Sequence, residues 1–169
     1  IIHAAARVHV MRDSSTDPLY EFRRVNTEGT LNLALQAVSA GVKRFVFVSS
    51  VKVNGGSTFI GQPFEPSDPV QPEGAYGISK SEAEQGLRLL ASTSGMEVVI
   101  VRPPLVYGYG VKANFAALAR IVLAGVPLPL ASVVGNRRSF VSIENLLDFL
   151  LVTLNHPEAA NQTFLVSSF

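Results

Sequence analysis

The sequence predicts an α/β protein built on a doubly wound parallel sheet. Three observations predict it. Short apolar, β-branched runs recur along the chain, at 1–6, 44–50, 97–103 and 162–168. Segments of helical period separate them, and that alternation is the signature of βαβ units. The composition is 47% hydrophobic and only 16% charged, as expected of parallel strands covered on both faces.

Taken in order, "IIHAAA" (1–6) reads as a buried strand. Asp17 and Pro18 then open a helix that runs to about Ala40. Leu31, Leu33, Leu35 and Val38 form its apolar side, and Gly41 is its C-cap. "RFVFVSS" (44–50) is the next strand. Residues 51–74 hold four glycines and four prolines and read as a long loop of the kind that carries function. A helix from about Ala75 to Ser94 ends at Gly95, and "EVVIVRP" (97–103) is another buried strand. "PLVYGYGVK" reads as loop, Asn114 to about Ala124 as helix, and 125–137 as irregular, proline-rich chain. Ile143–Asn155 is helical, and "QTFLVSS" closes the sequence as a strand.

Composition excludes several functions. A net charge of +1 without a basic stripe argues against a nucleic-acid partner. With no cysteine there is neither a disulfide nor a thiolate metal site, which suits a reducing cytoplasm. His3, His9 and His156 lack metal-ligand spacing, so no metal is expected. "FLLVTL" is too short to span a bilayer. A soluble protein without a membrane partner is expected.

Chemistry is concentrated in "AYGISK" (75–80). On a helix, Tyr76 and Lys80 stand one turn apart on one face. A phenol with a pKa near 10 is a poor base at neutral pH. A neighbouring cation favours the phenolate and makes the group a usable proton shuttle. Taken alone, the pair favours a plainer reading, a half-buried aromatic beside a solvated lysine. Ser49 and Ser50 sharpen the case, because they lie where a buried strand emerges into a loop, the end of an open α/β sheet at which ligands bind.

The ordered motifs "IIHAAA", "VNTEGTLNL", "RFVFVSSVKVNG", "AYGISKSEAE", "VIVRPPLVYGYG" and "RRSFVSIENLLD" resemble the extended short-chain dehydrogenase/reductases. Within them the sequence is most similar to nucleotide-sugar epimerases and dehydratases of the UDP-glucose 4-epimerase type. The resemblance implies a Rossmann-like sheet with part of a smaller substrate-binding lobe. It makes residues 1–102 the C-terminal part of an NAD(P)-binding domain, and 103–169 the substrate lobe with return segments to the sheet. It implies that Tyr76 is the catalytic base, that Lys80 binds the nicotinamide ribose and tunes the tyrosine, and that Ser50 bonds the reacting sugar oxygen. Ser49 would flank the nicotinamide, and the backbone at Ala4, Ala5 and Ala6 would pass along the cofactor. Asn26 would support the site near the cofactor. Pro103 and Val106 would line the nicotinamide, and Asn114 and Arg138 would hold the substrate diphosphate.

The activity so implied is NAD-dependent epimerisation at C4 of a UDP-hexose or UDP-N-acetylhexosamine through a 4-keto intermediate, in polysaccharide precursor synthesis. NADP is the alternative cofactor. A reductase of a UDP-4-keto-6-deoxy sugar and a non-catalytic nucleotide-binding protein are the alternative functions. The expected setting is a cytoplasmic homodimer. The sequence departs from the family pattern in three places. The glycine-rich dinucleotide motif is missing, so the chain reads as a fragment of a longer enzyme. Leu105 replaces the usual asparagine of the "RPxNxYG" segment, and Asn54 replaces a common tyrosine. The last two bear on the sugar preferred.

Overall fold

The computed structural model describes residues 1–8, 15–59, 61–109, 123–125 and 137–168. Its centre is a four-stranded parallel sheet in the order β1-β2-β3-β6, formed by β1 (Ile2–His3), β2 (Arg44–Val48), β3 (Glu97–Arg102) and β6 (Thr163–Leu165). Register is fixed by pairs such as His3 with Phe47, Val46 with Val99, and Val101 with Phe164. Strands β2 and β3 are buried on both faces, which explains their unbroken apolar runs. One face (Phe45, Phe47, Val98, Ile100) packs on Ala34, Ala37, Ala83 and Leu87 of two helices. The other (Val46, Val99, Val101) packs on Leu146 and Leu150 of a third. The parallel sheet between helices is the expected fold class.

The helices obey local rules at their ends. Asp17 caps α1 (Pro18–Phe22) by accepting from the amide of Tyr20 at 3.0 Å, with Pro18 at the first helical position. The chain continues through a π-helical turn (Arg23–Glu28) into α2 (Gly29–Ser39). Gly41 comes next with φ of 75°, and the amide of Val42 closes back on the carbonyl of Ala37 at 2.9 Å. Helix α3 spans Gly74–Ser94 and ends at Gly95. Helix α4 (Ile143–Asn155) is capped by the Ser142 hydroxyl. Its C-terminal end is held by Arg44, whose Nη1 donates to the carbonyls of Thr153 and His156 at 2.8 and 2.7 Å.

Three features differ from the sequence-based reading. Strand β1 pairs only at Ile2 and His3, and Ala4–Ala6 leave the sheet. The buried face of α2 is Thr30, Ala34 and Ala37, whereas Leu33 and Leu35 are 37% and 56% exposed. The π turn adds a residue to the helix and rotates the turns C-terminal to it, and small residues allow α2 to lie close to the sheet. The expected loop after Pro104 contains β4 (Leu105–Tyr107), paired in parallel with β5 (Phe140–Ser142) in a separate two-stranded sheet. A partner 35 residues away cannot be read from local pattern. The 51–74 segment is a loop as expected, opening on a 3₁₀ turn at Val51–Val53. The helix expected from Asn114 lies outside the described residues, except at its far end.

Candidate active site at the carboxyl edge of the sheet

The carboxyl ends of β1, β2 and β3 and the first turn of α3 converge on one place. Ser49 and Ser50 come directly after β2, and the ladder runs on past the strand. The Ser49 amide donates to Val101 at 2.7 Å and the Val51 amide to Pro103 at 3.0 Å. Ser50 is extended and caps the 3₁₀ turn, accepting from the amide of Lys52 at 3.2 Å. Helix α3 brings Tyr76 over this turn. Its ring meets Phe22 edge-on at 6.1 Å between centroids, and the Ser50 side chain is near enough to favour the ionised phenol.

Lys80 lies one turn further along α3 and is 1% exposed. Its Nζ donates to the carbonyl of Val48 at 2.9 Å, stands 4.4 Å from the Phe47 ring centroid and 6.0 Å from that of Tyr76. Burial lowers its pKa from 10.5 to about 8, with Glu84 opposing. The expected adjacency of phenol and ammonium is present, but the expected electrostatic consequence is not. Burial raises the Tyr76 pKa above 10, and the nearby Ser50 hydroxyl opposes it. The ammonium is committed to the Val48 carbonyl, so the phenol gains little from it here.

Asn26 is fully buried at the π turn and ties two of the converging segments. Its Oδ1 accepts from the amide of Arg7 at 2.7 Å, and its Nδ2 donates to the Arg7 carbonyl and to Ser79 Oγ, both at 3.1 Å. Ser79 in turn donates to the Tyr76 carbonyl at 2.9 Å. The chain leaving β1 is thus pinned to the helix that carries Tyr76. Between them Ala4 and Ala5 are exposed and present only methyl groups.

The Ser49 side chain turns inward and donates to Glu84 at 2.6 Å. Pro103 is buried beside Val51, and Val106 sits in β4 against the α4 side of the core. Arg138 is exposed two residues before β5, and no hydrogen bond or ion pair among the described residues joins it to Ser50, Tyr76 or Lys80. Asn114 lies outside the described residues. Asn54 is buried and bonded to Arg102 at 2.9 Å, so its side chain faces the interior rather than a ligand. Sequence reasoning missed Glu84, Arg102, Ser79 and Phe22. The one signal available for them was Arg102, a charge directly after the apolar run Val98–Val101. Among the described residues no group of His, Asp or Glu has the arrangement of a metal site, and no helix is long and apolar enough to cross a membrane.

Helix α3 and two strand ends therefore bring a phenol, a serine hydroxyl and a buried amine together, beside the exposed Ala4 and Ala5. The chain belongs to the NAD dependent epimerase/dehydratase family, whose model matches residues 1–167. It is 58% identical over 167 residues to a UDP-glucose 4-epimerase of Vibrio cholerae, covering 99% of this chain and 51% of that protein. It is 29% identical over 176 residues to a UDP-glucose 4-epimerase of Mycolicibacterium smegmatis, covering 99% of this chain and 54% of that protein. A dTDP-glucose 4,6-dehydratase of Streptomyces venezuelae, solved with NAD bound, superposes with a TM-score of 0.80 at 28% identity, over 98% of this chain and 50% of its own. The chain spans about half the length of the relatives it matches along its full extent.

Proposed function

We propose that the intact protein interconverts UDP-sugars at C4, with NAD as its resident cofactor. The observation that carries this reading is the meeting of Ser50, Tyr76 and Lys80 at the carboxyl edge of the sheet, in a chain 58% identical to a UDP-glucose 4-epimerase. The residues present fit a nicotinamide. Ala4 and Ala5 leave backbone accessible to a flat ring system, and Lys80 has ammonium protons beyond the one given to Val48. When bound, the cofactor supplies the hydride acceptor and donor at C4. Lys80 and the backbone at Ala4–Ala6 would hold it.

The chain's own residues handle the proton. Tyr76 takes the proton of the sugar 4-hydroxyl as the C4–O bond becomes a ketone, and returns it after the 4-keto sugar has presented its other face. Ser50 bonds the same oxygen and orients it toward the phenol. In this reading residues 1–102 carry the cofactor half of the site, and 103–169 the substrate lobe with its return to the sheet. Asn114 and Arg138 are assigned to the diphosphate, for which a guanidinium is well shaped.

The test supplies the intact protein with UDP-hexoses and UDP-N-acetylhexosamines, and separately with a UDP-4-keto-6-deoxy sugar plus NADPH. C4 inversion without net change in nicotinamide absorbance supports the epimerase. Stoichiometric loss of that absorbance with the keto sugar would make the protein a reductase. Inactivity across UDP- and dTDP-sugars would leave a nucleotide-binding protein.

A further inference from the structure

Behind Ser50 lies a charged cluster that the proposed chemistry does not use. Glu84 of α3 and Arg102 of β3 are each 1% exposed. Arg102 approaches as a fork, Nε to Oε1 at 2.9 Å and Nη2 to Oε2 at 2.6 Å. The Ser49 hydroxyl donates to Oε1 at 2.6 Å, and Arg88 reaches Oε2 from the solvent side at 3.1 Å. The remaining arm of Arg102, Nη1, donates to Asn54 Oδ1 at 2.9 Å, and Asn54 Nδ2 donates to the Glu65 carbonyl at 3.1 Å.

We infer that Glu84 and Arg102 are a positioning pair that presents Ser50 to Tyr76. The inference rests on the function proposed above and extends it to residues that touch neither sugar nor cofactor. Among the described residues, the one hydrogen bond of the Ser50 side chain is to its own turn, and Tyr76 is the ionisable group it influences. Ser50 sits inside a six-residue span, Ser49 to Asn54, whose two ends are fastened to the same ion pair. The fork sets both fastenings at once, because a planar guanidinium fixes the carboxylate plane and its third arm together. A buried ion pair is weak evidence for stability, since apolar residues of like volume often do as well. Apolar residues could not hold Ser49 inward and Asn54 downward at fixed angles. Through Asn54 the pair also reaches the backbone of the long loop at Glu65.

The test uses the intact protein, three variants that leave the ion pair in place and one, Arg102→Lys, that breaks its fork. Asn54→Ala removes the outer fastening, Ser49→Ala the inner one, and Asn54→Asp keeps an acceptor for Arg102. Amide exchange at Val53, Asn54 and Gly55, all bonded within the turn, should quicken about tenfold in Asn54→Ala while β2 and β3 change less than about twofold. Turnover at C4 should fall about tenfold or more with KM nearly unchanged, since misplacement rather than binding is at fault. Asn54→Asp should recover most of that loss. Arg102→Lys, which keeps the charge but not the fork, should resemble Asn54→Ala. If Asn54→Ala and Ser49→Ala both leave exchange in the turn and turnover within about twofold of the parent, the positioning role is wrong. A parent protein without C4 turnover would count against the proposed function alone, and the exchange measurement would then decide the pair.

Discussion

Lys80 donates a hydrogen bond from Nζ to the carbonyl of Val48 at 2.9 Å, inside a core where it is 1% exposed. The amine is thus held by the strand that delivers the serines, and its charge is costly to keep.

That cost has a sign that can be measured. Burial lowers the Lys80 pKa from 10.5 to about 8. Between those values the unfolded chain binds more protons than the native one, so this group makes stability rise with pH. Below about pH 8 its destabilising effect is fully present, on the order of 3 kcal/mol. Urea unfolding at pH 7, 9 and 10.5 should therefore show the parent gaining on Lys80→Met as pH rises. A difference that stays constant across that range would refute the shift.

Tyr76 carries the opposite dependence. Its phenol is raised above 10 by burial, so the native state keeps a proton that the unfolded chain has lost, and stability falls as pH rises past 10. As a phenol it serves as an acid at neutral pH, and to serve as a base it must titrate lower in the loaded enzyme. Tyrosinate absorbance, read as the difference between the parent and Tyr76→Phe, should ionise above pH 10 in the free protein and lower with nucleotide bound. Tyr76→Phe should retain the packing on Phe22 and lose roughly 10²–10⁴-fold in turnover. Near-parental turnover would remove Tyr76 from the chemistry.

Asn26 uses both of its amide protons and its carbonyl oxygen inside the protein. Asn26→Ala leaves the Arg7 backbone without these partners and should cost about 2 kcal/mol, with faster exchange at the Arg7 amide. Equal stability with unchanged exchange at Arg7 would show that the segment after β1 is held by other contacts.

Gly77 stands directly after Tyr76, and a Cβ there would lie 2.8 Å from the Lys52 carbonyl oxygen. Helix propensity alone would make Gly77→Ala stabilising by about 1 kcal/mol. The contact is with backbone, which cannot swing away, so the variant should be destabilised instead. It should also push the turn that carries Ser50 off α3, lowering turnover. A more stable and fully active Gly77→Ala would mean that the turn moves freely.

The sequence by itself determined the order of the four strands of the main sheet and of the three helices packed on them, the caps at Asp17, Gly41 and Gly95, and the one-turn separation of Tyr76 and Lys80. Each of these depends on residues a few positions apart, and helix and strand periods encode them directly. The tertiary structure decided what those residues do. It turned Ser49 inward to Glu84, buried Asn54 on Arg102, gave the Lys80 ammonium to Val48, and exposed Leu33 and Leu35 that looked like core. It also paired Leu105–Tyr107 with Phe140–Ser142. These relationships join residues 32 to 48 positions apart wherever a hydrogen bond defines them. No local pattern encodes such a bond. It forms because a polar group carried into the core by strand and helix packing must find a partner there.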